Sequence, residues 1–328
     1  MNILIIGATG QLGYTIAKKL TEKNHSYQVI AGYRKTSSIE ELQKLKNIHF
    51  REVDLTDPKT IEKGLIGIDT IICTANSAVP TNRHDNFKSV DEKGVKSLID
   101  LSVKEGVKQF IYVSAAKFAK WDNKVPLTKA KRYVEKHLIN SSLNYTIFQP
   151  TAFMEIYFPY MGTDITLKNS PINTIQRPFK FANNFYEGIK NSMKDNNTIN
   201  IVGNGKHRVS FISLENVADF CVNAINNTMA NRQVIPIGGP EALSPLEVKK
   251  IFEKVYNKSL KVKSTPPFVM KILSWILGPF NKAASNIMAM NYVMATSDSV
   301  IPDMRKKADQ FEVDLISAEK FLMNQSKP

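Results

Sequence analysis

Cysteine is scarce in this chain of 328 residues. Cys73 and Cys221 stand far apart, with no CxxC or Cys/His spacing, so neither a disulfide framework nor a metal site is expected. Unpaired thiols suit a reducing, cytoplasmic setting. Long apolar runs are missing too: the richest stretch, from Phe268 to Ala295, is broken by Lys271, Gly278, Pro279 and Lys282. That leaves no span of about 18 uninterrupted apolar residues and argues against a transmembrane helix. The opening Met1-Asn2-Ile3-Leu4-Ile5-Ile6 has no cationic segment and too short an apolar run for a signal peptide, and reads instead as a first strand. Acids are the minority charge, 30 Asp and Glu against 44 Lys and Arg, for a net charge of +14. Such a surplus attracts phosphate, whether of a cofactor, a lipid surface or a nucleic acid. The densest run, Lys249, Lys250, Lys254, Lys258, Lys261 and Lys263, has few interleaved aromatics. It reads as a solvated helix face, and nucleic acid is not an expected partner.

What is present is an ordinary globular balance, 43% hydrophobic and 23% charged residues, at a length suited to one large or two fused domains. The first 150 residues alternate short β-branched runs with helical patterns, the signature of βαβ units and a parallel sheet. Strands are expected at Ile3 to Ile6, Gln28 to Ala31, Ile48 to Val53, Thr70 to Cys73, Gln109 to Val113 and Tyr145 to Phe148. Helices are expected at Leu12 to Leu20, Ile39 to Leu45, Ile61 to Leu65, Val90 to Val103 and Ala130 to Ile139. The fold class is therefore α/β, a doubly wound parallel sheet over residues 1–150. A smaller, mostly helical substrate region follows over 151–328, with part of 182–225 returning to the first domain. In that second region Pro159, Pro171 and Pro178 punctuate pocket-building loops. Strands are read at Ile199 to Val202 and Val209 to Ile212, and a helix from Leu214 to Ile225. Ser244-Pro245-Leu246-Glu247 is a helix start, with an N-cap serine, proline at N1 and a capping-box acid at N3.

Gly7-Ala8-Thr9-Gly10-Gln11-Leu12-Gly13 places a glycine loop between an apolar strand and a helix. Gly7 suits a tight turn, Gly10 a close approach to pyrophosphate and Gly13 helix-to-strand contact, with Thr9, Gln11 and Leu12 bordering the same phosphates. NAD-binding sheets place an acid at the end of the second strand. Here that place reads Ala31-Gly32-Tyr33-Arg34-Lys35. Two cations where a 2′-phosphate would sit predict NADP(H) over NAD(H).

Joined to Val53-Asp54-Leu55, Thr74-Ala75, the run from Gly106 to Ser114 and the run from Tyr145 to Glu155, this loop makes the chain resemble the short-chain dehydrogenase/reductase superfamily. More narrowly it resembles the atypical NmrA-like branch, whose sheet is a Rossmann fold. The resemblance covers roughly residues 1–260. It implies adenine contacts from Asp54 and Leu55, a cofactor border at Thr74 and Ala75, and further cofactor contacts from Lys131, Pro150 and Phe153. Catalysis in the superfamily uses Ser, Tyr and Lys, the last two spaced YxxxK on one helical face. Ser114 and Lys131 take their places, but the residue four before Lys131 is Leu127.

What remains is a reductase of a carbonyl or activated C=C in a small apolar substrate, with Ser114 bonding a developing oxyanion and Lys131 binding ribose. Tyr157 and Tyr160 are candidate proton donors, and Met154, Tyr157 and Phe158 are expected to line the substrate pocket. The alternative is a catalytically silent NADP(H)-binding sensor, regulatory or assembly protein. His207 and Arg208 read as a basic turn, Cys73 as a buried strand residue, and Met288, Met290, Met294 and Tyr292 as core or a pocket lid. The segment from Phe268 to Leu277 fits either an interfacial helix on a membrane surface, the less favoured reading, or a core helix closing the pocket.

Overall fold

The computed structural model describes residues 1–22, 26–78, 85–118, 121–162, 192–193 and 195–326. The first half runs β1 (Asn2–Ile6), α1 (Gln11–Glu22), β2 (Gln28–Tyr33), α2 (Glu40–Gln43), β3 (Ile48–Glu52), α3 (Pro58–Leu65) and β4 (Thr70–Cys73). A π-helical segment (Phe87–Gly94) leads into α4 (Val95–Lys104), followed by β5 (Gln109–Val113), α5 (Pro126–Ile139) and β6 (Tyr145–Pro150). Then come α6 (Met154–Met161), β7 (Thr198–Val202), α7 (Leu214–Asn223), β8 (Gln233–Ile237), α8 (Pro245–Tyr256) and β9 (Lys261–Thr265). The chain closes with α9 (Pro267–Leu277), α10 (Lys282–Met294), α11 (Met304–Gln310) and α12 (Ala318–Ser326).

Seven strands form one parallel sheet in the order β3-β2-β1-β4-β5-β6-β8. Alternation along each strand feeds two cores. Ile3, Ile5, Ile72 and Ile111 face α1, α7 and α11, while Leu4, Ile6, Ile71 and Phe110 face α3, α4 and α5. Helix α1 buries Leu12, Ile16, Ala17 and Leu20, a stripe at helical spacing. The strand order reverses between β1 and β4, which sets a ligand crevice beyond the carboxyl ends of these strands.

The later chain packs on the first core and extends its sheet. Helix α7 packs on α1, where Lys19 pairs with Glu215 at 2.6 Å and Asp219 at 2.8 Å. Beyond it, β8 completes the sheet beside β6. A third core, with Phe158, Phe211, Phe252 and Phe321, joins α6, β7, α8 and α12. Val209 to Ile212 is not a strand: its backbone bonds separately to Leu243, Ser299 and Ala152 in isolated bridges. The capping box at Ser244 and Glu247 is present. Pro171, Pro178 and residues 182–191 lie outside the described residues. Among the described residues no helix is long and apolar enough to cross a membrane, and both cysteines are buried and free.

Candidate dinucleotide site

Gly7 takes φ +85°, and a Cβ there would meet Thr74 Oγ1 at 2.7 Å and the Ala75 nitrogen at 2.9 Å. At Gly13 a Cβ would lie 2.2 Å from the Gly7 carbonyl oxygen, so both glycines are required by the protein's own packing. Gly10 differs: its absent Cβ faces only the Gly7 oxygen, at 3.3 Å, leaving that side of the loop open for a phosphate. The Gly10 amide closes the turn onto Gly7 O at 3.0 Å, and Thr74 Oγ1 ties the loop to β1 through Ile6 O at 3.1 Å. No acid occupies the first turn of α1, so its N-terminal amides and dipole meet an anion without competition.

At the end of β2, Arg34 Nη1 pairs with Asp85 at 2.6 Å, and exposed Lys35 stands 3.6 Å from Glu52. Asp85 therefore holds one of the two cations in place and offsets part of its charge. Asp54 folds its carboxylate onto the Thr56 amide and hydroxyl, at 2.8 and 2.7 Å, and its amide donates to Thr60 Oγ1 at 2.9 Å, a local turn at the end of β3.

Lys131 is almost fully buried on α5. Its Nζ donates to Val113 O at 3.1 Å and Ala75 O at 3.4 Å, spanning the carboxyl ends of β5 and β4, and lies 4.8 Å from the Tyr112 ring. Nearby in the π-helical segment is Asp91, fully buried, whose Oδ2 accepts from the Ser77 amide at 2.9 Å and hydroxyl at 2.5 Å. Its Oδ1 is buried without a partner. Burial pushes the Lys131 ammonium down and the Asp91 carboxyl up, each opposed by the charge of the other. Sequence reading missed Asp91; π-helical turns often mark functional positions, but no residue pattern announces one.

Ser114 also stands where expected, its amide bonded to Phe148 O at 2.8 Å, but its hydroxyl donates to buried Glu135 at 2.5 Å. Glu135 further accepts from Gln149 at 2.9 Å and Arg132 at 2.9 Å. In this arrangement the Ser114 proton points to Glu135 rather than to the crevice, unlike the donation an oxyanion role would need. Leu127, on the Lys131 face of α5, joins half-buried Trp121, Met290 and Tyr292 around Phe118, Val125 and Val293. The Leu127 amide donates to Asn286 Oδ1 of α10 at 3.0 Å. Helix α10 thus packs against the position where the YxxxK tyrosine would stand, with Met288 and Met294 buried as core residues.

Pro150 ends β6, and Phe153 precedes α6 in a bridge to Ile212. Met154 and Phe158 are fully buried in the third core rather than lining a pocket, because this core needs large apolar groups between α6, α8 and α12. Tyr157 stacks on Phe211 with ring centres 4.8 Å apart, and burial pushes its hydroxyl up to about 12, an unfavourable setting for giving up a proton. Tyr160 is half-buried on the same helix. His207 and Arg208 are held by Asp298 and Glu247, as a basic turn would be. Cys73 is buried at the end of β4, and burial raises its thiol to about 11. Among the described residues no group of three or more His, Cys, Asp and Glu is placed to hold a metal.

An anion-accepting loop at the switch point of a parallel sheet, with a buried lysine across the adjacent strand ends, defines a dinucleotide-binding protein of the Rossmann class. The chain belongs to the NAD(P)H-binding family, which matches it over residues 7–177, just over half its length. Among curated relatives it is 26% identical over 281 residues to the photosystem II assembly factor Ycf39 of Trieres chinensis, covering 85% of this chain and 77% of that protein. It is also 26% identical over 306 residues to the divinyl chlorophyllide a 8-vinyl-reductase of Arabidopsis thaliana, covering 87% of this chain and 64% of that protein. Its fold matches an Escherichia coli NADPH-dependent quinone oxidoreductase solved with NADPH at a TM-score of 0.74 and 16% identity, covering 98% and 99% of the two chains.

Proposed function

We propose that the protein is an NADP(H)-dependent oxidoreductase of the NmrA-like type that reduces a carbonyl or activated C=C of a small apolar molecule. The observation that carries this reading is Lys131. Burying an ammonium costs several kcal/mol, and here it is buried at the strand ends beside the glycine loop, matched by the buried carboxyl of Asp91. When bound, NADPH supplies a hydride. The N-terminus of α1 holds the pyrophosphate, and Arg34 and Lys35 hold the 2′-phosphate, with Asp85 fixing Arg34. Lys131 donates to the ribose and stabilises negative charge on the reduced substrate. Trp121, Leu127, Met290 and Tyr292 pack into an apolar cluster that includes the residue four before Lys131. With the Ser114 proton committed to Glu135, the proton that completes reduction comes from solvent. This suits acceptors whose reduced form carries a stabilised anion on oxygen, such as quinones and enones. A quinone oxidoreductase and a vinyl-reductase among the similar proteins support this acceptor class. Two free, buried thiols support a reducing, cytoplasmic setting.

A second reading, an NADP(H)-binding regulatory or assembly protein without turnover, is favoured by the Ser114 to Glu135 bond and by Leu127, which leave no neutral hydroxyl acid in place. The two are separated by titrating NADPH, NADP, NADH and NAD calorimetrically, then following NADPH oxidation with a panel of quinones, enones and aldehydes. The expected result is NADPH binding tighter than NADH by about tenfold or more, the worth of one charge-assisted hydrogen bond, together with turnover. Equal affinity for both would remove the roles of Arg34 and Lys35. Tight binding without turnover would establish the second reading, and no binding would overturn both.

A further inference from the structure

Helix α9 is apolar apart from Lys271 and Ser274 and buries none of its residues. Its inner side rests on α10, where the Ser285 hydroxyl donates to Ser274 O at 2.7 Å. Its outer side carries Phe268, Ile272, Trp275 and Ile276, spaced i, i+4, i+7 and i+8 and therefore one continuous stripe. Trp275 is 81% exposed and Phe280, just past the helix end, is 86% exposed. A core helix turns such a stripe inward, whereas this one turns it to the surface. Helix α9 is therefore not a core helix.

The charge around the stripe has one sign. Between Glu253 and Asp298 the sequence has no acidic residue, while Lys254, Lys258, Lys261, Lys263, Lys271 and Lys282 all fall there. Lys254 is engaged with Glu319, and Lys271 lies 5.8 Å from the Tyr292 ring. Among the described residues Lys258, Lys261, Lys263 and Lys282 make no ion pair, and all four are exposed. Strand β9, immediately before α9, turns Lys261 and Lys263 outward, and Lys282 opens α10 just after it.

We infer that α9, with Phe280 and the flanking lysines, is a docking surface for an anionic lipid bilayer, on which the helix lies in the plane of the interface. Outward Trp and Phe enter the boundary between headgroups and acyl chains while lysines reach anionic headgroups. A second copy of the chain is the poorer occupant, because a two-fold contact through this face would bring two sets of lysines together. Because α10 both supports α9 and packs on Leu127, docking would set the candidate site one helix away from the bilayer. The inference does not rest on the chain being an enzyme.

The test is sedimentation of the full chain with phosphatidylcholine vesicles, with and without roughly one third phosphatidylglycerol. Emission of Trp275 is followed in a Trp121→Phe background, since the chain has two tryptophans. Binding to the anionic vesicles only, with a blue shift of Trp275, is expected. It should fall by about tenfold or more in Ile272→Ser/Trp275→Ser and in Lys261→Glu/Lys263→Glu, and at high salt. These positions are exposed, so the variants keep the wild-type circular dichroism spectrum. Equal binding to neutral vesicles would overturn the role of charge. No vesicle binding would overturn the inference, whether the stripe is then covered by a second copy, read as a dimer lost in the serine variant, or by an acidic protein.

Discussion

Glu155 is a carboxyl group with one oxygen satisfied and one not. Its Oε1 accepts the Leu214 amide at 2.9 Å, Oε2 is buried without a partner, and burial pushes the group up from 4.5 to about 8. The folded chain therefore holds a proton between about pH 4.5 and 8 that the unfolded chain has released. The state binding more protons loses ground as pH rises, so stability falls across that window and is lowest above it. Glu155→Gln keeps the acceptor for Leu214 and removes the titration. Denaturant melts of both proteins near pH 5 and near pH 9 should show wild type losing on the order of a few kcal/mol more than the variant. An equal loss would mean that Glu155 is already ionised in the native state. At this scale the sequence was only half readable. Ser114 and Lys131 are visible because each follows a strand or a spacing rule. Asp91, Glu135 and Glu155 are charged residues in amphipathic stretches, and nothing local distinguishes a buried carboxylate from a solvated one.

Elements were more legible where their signal was local. The strands at Thr70–Cys73 and Gln109–Val113 lie where alternation and apolar runs put them, and so does the glycine loop before α1. Strand β8 was hidden by Pro236, which argues against a central strand; it is tolerated because β8 is the sheet edge, paired only with β6. Strand β9 was hidden by its lysines, since exposure erases the apolar pattern of a strand. The loop also separates fold from function. Gly13→Ala drives a Cβ into the Gly7 carbonyl, and relieving that contact costs about 1–3 kcal/mol or more, so thermal melts should show a destabilised protein. Gly10→Ala meets only the Gly7 oxygen at 3.3 Å and should melt near wild type. It should nevertheless bind NADPH about tenfold or more weaker in calorimetry, because the added methyl stands where the pyrophosphate must come close. Unchanged NADPH affinity in Gly10→Ala would move the phosphate site elsewhere.

Whether residues 1–150 can stand as a domain is decided at the scale of the whole molecule. The apolar pattern of the first half describes a sheet and its helices, but one face of that sheet is completed by residues that come much later. Val217, Phe220 and Cys221 of α7 pack against α1, Phe220 and Phe311 meet the Phe148 ring at 5.7 Å each, and Met304, Ala308 and Val313 close the same core. The Gln109 side chain reaches across to the Ala224 carbonyl, and Thr146 to the Ala230 carbonyl. Each large apolar side chain left without its cover forfeits about 1.5–3 kcal/mol. A handful of them therefore equals the roughly 5–15 kcal/mol that separates a typical folded chain from its unfolded state. A fragment ending near residue 160, which keeps the glycine loop and Lys131, should accordingly lack a cooperative melt and bind no NADPH, whereas the full chain should melt cooperatively and bind it. Cooperative unfolding of the fragment with NADPH binding intact would show that the first six strands are self-sufficient. The contribution of α7, β8 and α11 would then be to position the later region rather than to hold the sheet together.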